Sequence, residues 1–152
     1  MKKFKFNLDS LHRYRSSIEE VSMKEFSSEL RSFHEKRQGV LRLREERERL
    51  ATEIDHIKES GDSRLELALY ATYIADLKEY IKEKEALLEA CKKELEIKRL
   101  ALIEVMKERK VLDVMKDKSF EEFNRQSKRI EQKILDDIGG ARFFFGGDKD
   151  EE

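Results

Sequence analysis

Leu67-Ala-Leu-Tyr70-Ala-Thr-Tyr-Ile74-Ala-Asp-Leu77-Lys-Glu-Tyr-Ile81 opens the longest regular pattern in the chain. Alternating steps of three and four carry it on through Lys84, Leu88, Cys91, Leu95, Lys98, Leu102, Val105, Arg109 and Leu112. That is a heptad a/d register kept for roughly six heptads, the signature of a helix that packs along one narrow stripe. Period-two alternation, which a half-buried strand requires, never lasts four residues. A helix of this length cannot bury its own stripe, so the rest of the chain must supply a partner for it.

Working outward, Lys58-Glu-Ser-Gly61-Asp-Ser63 reads as a turn. Gly61 suits the left-handed residue that ends a helix, and Ser63 with Glu66 forms a capping box for the next one. Before the turn a second seam runs through Leu11, Tyr14, Ile18, Phe26, Leu30, Phe33, Arg37, Val40, Leu43, Arg47, Leu50, Ile54 and Ile57. Its mean spacing is about 3.5 residues, with two steps of four through Ser22 that read as a stutter. Gly39 sits inside this helix at a cost of about 1 kcal/mol against alanine. Helices joined by so short a turn lie side by side and antiparallel. The expected fold is therefore all-α: one antiparallel two-helix coiled-coil hairpin with a longer second helix. Its helices span about 8–59 and 64–138, its turn 60–63, and a flexible tail 139–152 follows Gly139-Gly140, read as the helix stop.

Folding about Gly61 sets residue i opposite about residue 122 − i, which leaves everything after about Met115 without a partner in the first helix. That overhang still carries an apolar stripe, Phe120, Phe123, Ser127, Ile130, Ile134 and Ile138. An N-terminal arm with Phe4 and Phe6 two apart, extended rather than helical, lies at the same end and can cover part of it. Asn7, Asp9 and Ser10 are candidate N-caps. Phe143-Phe144-Phe145 and an acidic tail close the chain.

Composition agrees. Of 152 residues, 44% are charged and 38% hydrophobic, and proline and tryptophan are absent. Such a chain buries a seam rather than a globular core. The 33 basic and 34 acidic residues interleave, which argues against nucleic acid as a partner. The single cysteine, Cys91, falls on the seam and reads as a small buried hydrophobe. The start of the sequence lacks a secretory h-region and no stretch approaches a membrane span, so a cytoplasmic location is expected.

Chemistry is hard to find. His12, His34 and His56 are scattered without i, i+4 metal-ligand spacing and read as solvated surface residues. Carboxylate pairs such as Glu45-Glu46 and Asp136-Asp137 stand beside Lys or Arg at helical neighbour spacing. No phosphate loop, nucleophile set or CxxC exists, so neither an enzyme nor a cofactor or small-molecule substrate is expected. Arg42, Arg44, Arg47 and Arg49 are interrupted by glutamates and read as a solvated face. A second stripe, Tyr73, Leu77, Tyr80, Leu87, Ile97 and Ile103, is either the edge of a wide seam or a docking surface anchored by tyrosines.

Both ends resemble one family. Phe4-Lys-Phe-Asn-Leu8-Asp-Ser-Leu11-His-Arg-Tyr-Arg15 is similar to the opening of FliJ, the flagellar export protein, with its Phe-x-Phe-x-Leu-x-x-Leu followed by Arg. Glu131-Gln-Lys-Ile-Leu135-Asp136-Asp137-Ile138 followed by Arg142 resembles that family's Glu-x-x-x-Leu-Asp-Glu closing motif. Asp137, where Glu is commoner, and Gly139-Gly140, where the family often continues helically, are departures. The resemblance implies a non-catalytic stalk, similar to the shaft of rotary ATPases. It would enter the hexameric ring of the flagellar export ATPase, promote ring assembly, couple the ring to the membrane export gate and handle export chaperones. It implies a cytoplasmic protein, peripheral at the inner face of the cell membrane when assembled. Carried onto this sequence, the ring-binding residues are Phe4, Phe6, Leu8, Leu11, Arg13, Arg15, Phe123, Ile130 and Ile134, and the gate-binding residues are Tyr73, Leu77 and Tyr80. The alternatives are the equivalent stalk of a virulence secretion system, or a coiled-coil chaperone or dimeric scaffold.

Overall fold

The computed structural model describes residues 3–61 and 64–146, with side chains through Arg142. Two helices carry the chain: α1, Asp9–Ser60, of 52 residues, and α2, Arg64–Gly146, of 83. Leu, Ala, Glu, Lys and Arg, all good helix formers, fill both, and no proline interrupts them. Gly61 ends α1 with φ at +75°, the left-handed conformation that only glycine adopts without strain. Ser63, the other half of the expected capping box, lies outside the described residues. The fold is an all-α helical hairpin whose second helix is the longer.

By contacts the chain forms two units, Ile18–Val105 and the pair of terminal stretches Met1–Ser17 with Met106–Glu152. In the first, the helices run antiparallel. The Tyr70 hydroxyl donates to Glu53 at 3.2 Å, Tyr73 to Glu46 at 3.2 Å, Arg44 to Glu85 at 2.9 Å, and Lys98 to Glu25 at 2.9 Å. Partner numbers fall on α1 as they rise on α2, and Glu53 and Glu25 each lie one residue from the place that folding about Gly61 assigns. Between these polar rails runs the seam. Val40, Leu50, Leu77, Ile81, Cys91 and Leu102 are buried, and Leu50, Leu77 and Ile81 form a cluster that Leu43, Tyr70 and Ile74 close. Every α2 heptad position named from the sequence in this unit is buried or half-buried, Lys84 and Lys98 included. Lysine suits such a place because its methylene stem packs while its ammonium reaches water or a partner. Lys98 reaches Glu25, and Lys84 lies over the Tyr80 ring at 5.0 Å.

Two expectations need correction. On α1, Leu11 and Tyr14 do not lie in the seam: they are 41% and 61% exposed, while Leu8, His12 and Arg15 are half-buried. Steps of four and three lead from Leu8 through His12, Arg15, Glu19 and Ser22 to Phe26, all half-buried, so α1 has no stutter there. In these first turns the helix places polar residues inward, and His12 and Arg15 meet Asp113 and Glu108 there. The second correction concerns Gly139-Gly140, which do not stop α2: the helix passes through them to Gly146. A glycine costs a helix interior about 1 kcal/mol, whereas ending one takes a left-handed residue as well. Among the described residues Gly61 alone has that conformation. The expected tail at 139–152 thus begins helically; residues 147–152 lie outside the described residues.

Candidate functional site

The terminal unit holds most of the residues the sequence singled out. Residues 3–6 form an extended arm, and a turn at Asn7 and Leu8 leads into α1, with the Asp9 amide donating to the Phe6 carbonyl at 3.2 Å. The Phe4 ring meets Phe120 edge-on, with centroids 5.1 Å apart, and Phe123 at a tilt, 5.6 Å away. Such pairs attract through their quadrupoles as well as by burial. Phe6 is buried. Between arm and helix lies an open cleft of about 650 Å³, lined by Phe4, Phe6, Leu8, Met115 and Phe123 among others.

Below the arm, polar contacts hold α1 to α2. His12 Nε2 lies 2.6 Å from Asp113 Oδ1, Arg15 donates to Glu108, and Lys116 Nζ stands 3.5 Å from Asp9. Arg109 also donates to Asp113, and Arg13 donates to Asp9 at 2.5 Å. The hydrogen bond with His12, foremost, and the Arg109 charge hold the Asp113 carboxyl below the usual carboxylate range against the opposing effect of desolvation. Arg13 does the same for Asp9, with Lys116 contributing. Sequence reasoning missed this set: His12 was read as a surface residue. Its distance from Leu8, one step of four, was the available signal.

From Lys128 to Arg142, α2 has no cover among the described residues. Every residue from Lys128 to Arg142 is exposed, including Ile130 at 59%, Ile134 at 53%, Leu135 at 63% and Ile138 at 48%. The nine ring-binding candidates therefore divide. Phe4, Phe6, Leu8 and Phe123 come together around the arm; Arg15 is tied to Glu108 and Arg13 to Asp9; Leu11 faces outward on the first turns of α1; Ile130 and Ile134 stand on the bare part of α2. Four neighbouring bulky aliphatic residues turned to water on one helix, Ile130, Ile134, Leu135 and Ile138, make a patch of the kind that marks interaction surfaces.

The gate candidates lie in the other unit. Tyr73 and Tyr80 are about half exposed, but Leu77 is 6% exposed and belongs to the core with Leu50 and Ile81, so it cannot dock a partner. Tyr80 borders a groove of about 420 Å³ with Gly39, Val40, Leu43, Lys84 and Leu87. Nothing stands within 4 Å of where a Gly39 Cβ would be.

Among the described residues no group of three or more His, Cys, Asp or Glu is placed to hold a metal ion. No helix there is long and apolar enough to cross a membrane. Compared with known proteins, residues 4–146 match the family model described as the flagellar FliJ protein. No curated protein and no solved structure matches.

Proposed function

The chain belongs to the flagellar FliJ family, and so to flagellar protein export, and on that premise we propose that it is the non-catalytic central stalk of the export ATPase. In this reading a hexameric ring grips the terminal unit, the stalk promotes assembly of that ring and couples it to the export gate, and it takes part in handling export chaperones. It works in the cytoplasm, at the inner face of the cell membrane when assembled.

The bare stripe on α2, Ile130, Ile134, Leu135 and Ile138, supports this reading most strongly. A ring channel gripping a shaft needs shape and apolar contact from it, and no reacting group. Arg13 and Arg15 would turn from Asp9 and Glu108 toward acidic or carbonyl groups of the channel. Tyr73 and Tyr80 are the proposed anchors for the gate, because a tyrosine gives an interface a flat apolar face with a wet end.

The test compares ring ATPase activity with the full chain, with a chain truncated after Asp117, and with Ile130→Ser/Ile134→Ser in the full chain. The double substitution alters exposed positions and leaves the helix pairing intact. Loss of stimulation in both variants is expected; equal stimulation by all three overturns the proposal.

A further inference from the structure

The seam chemistry of the terminal unit differs from that of the other. Where unit Ile18–Val105 seals its helices with Phe26, Phe33, Val40 and Leu50, the first turns of α1 present Leu8, His12 and Arg15 to α2. Their fastenings are polar: a hydrogen bond between His12 and Asp113, and the ion pairs of Arg15 with Glu108 and of Asp9 with Lys116. Exposed or half-exposed ion pairs contribute little and are screened by salt, whereas apolar layers are not. The arm adds the Phe4 contacts and buried Phe6.

The segment ends at two serines, Ser16 and Ser17. Ser16 donates its hydroxyl to the His12 carbonyl at 2.9 Å and Ser17 to the Arg13 carbonyl at 3.1 Å. Hydroxyls bonded back by four residues compete with the helix's own hydrogen bonds and favour bending there. Leu112 is buried in this unit, and Met115 and Phe123 line the cleft beside the arm, at helical spacings that lead on to the bare stripe after Ser127.

We propose that residues 3–17 form a strap, fastened to α2 by ion pairs and by Phe4, and jointed at Ser16-Ser17. Its release lengthens the apolar stripe on α2 from Ile130–Ile138 back to Leu112. A partner that grips the stripe then gains Leu112 and Phe123, which the free chain keeps buried and half-buried, beside Met115 and Phe120, which are already exposed. The purpose assigned to the release rests on the proposed ring grip; the release itself does not.

Amide hydrogen exchange on the full chain, with no partner added, tests the strap separately from that grip. Amides of residues 11–16 are expected to exchange at least about ten-fold faster than those of residues 26–33, since local opening follows the weakest packing. Raising the salt from about 0.05 M to about 0.5 M should speed the first group and leave the second unchanged. Arg15→Glu should speed it about two- to five-fold, the worth of one such pair, and Glu108→Arg in the same chain should restore the original rate. Equal protection of the two segments overturns the proposal. So does an Arg15→Glu effect that Glu108→Arg fails to reverse, because the ion pair would then not be the fastening.

Discussion

Truncating Ile81 to alanine probes the seam where it is best sealed. Ile81 is 3% exposed, with Leu77 at 6% and Leu50 at 7% in the same cluster, closed by Leu43, Tyr70 and Ile74. Removing a buried isoleucine's outer carbons costs about 2–5 kcal/mol, the larger values arising where the surroundings cannot relax into the gap. A seam between two helices is open to water along both edges, so the void is partly filled by solvent and neighbouring side chains. The lower part of that range applies, about 2–3 kcal/mol. For a chain of this size each kcal/mol moves the melting point by about 2–4 °C, so the midpoint should fall by about 4–12 °C. Circular dichroism at 222 nm during urea and thermal unfolding is the assay. Leu65→Ala and Leu69→Ala, at 73% and 64% exposure, serve as controls and should stay within about 0.5 kcal/mol. Leu50→Ala should cost about as much as Ile81→Ala, and the double variant should depart from additivity by at least about 0.5 kcal/mol, as neighbours in one cluster do. If Ile81→Ala costs no more than Leu65→Ala, or the pair is strictly additive, the seam does not pack as described.

Three further outcomes are expected. Gly139→Ala with Gly140→Ala should stabilise the end of α2 by about 1 kcal/mol per residue and so raise its helical content, because neither glycine has a positive φ and a Cβ at either meets nothing within 4 Å; Gly61→Ala, at φ +75°, should destabilise, and NMR secondary shifts with a melting curve read both. Asp113→Asn should flatten the acid limb of the stability curve. The folded Asp113 carboxyl is held below its ordinary value, so its contribution is present above the ordinary carboxylate range and is lost as pH falls through the lowered folded value; urea midpoints measured at pH 7, 4 and 3 check this, and an unchanged pH profile contradicts it. Tyr14→Ser should leave stability within about 0.5 kcal/mol, since Tyr14 is 61% exposed; a loss of 2 kcal/mol or more would return it to the seam.

What the sequence made legible was apolar rhythm. From Leu67 to Leu112 every position picked at alternating steps of three and four is buried or half-buried, because a helix with one partner has one stripe to hide. Gly61 and the short turn gave the antiparallel pairing, and counting outward from it gave the overhang. The arm was legible too, since Phe4 and Phe6 two apart fit an extended chain. Polarity hid the rest. His12 and Arg15 occupy inward positions only because Asp113 and Glu108 meet them across the seam, and a single sequence does not show which charges will meet. Leu11 and Tyr14, greasy and nearby, took their place in the pattern. Gly139-Gly140 misled for the opposite reason: a weak local preference was given the force of a stop. Leu77 falls by spacing both in the heptad seam and in the tyrosine stripe, and its burial places it with the seam.

Lys98, reaching Glu25 from within the seam, bears on how such a hairpin tolerates insertions and deletions. Heptads are interchangeable, so gaining or losing seven residues in one arm would keep aliphatic side chains facing aliphatic side chains. It would also bring Lys98 opposite Ile18 or Ser32, neither of which carries a charge. An ammonium matched to one carboxylate thus acts as an index mark, making a slip of a whole repeat detectable where the hydrocarbon around it could not tell one notch from the next.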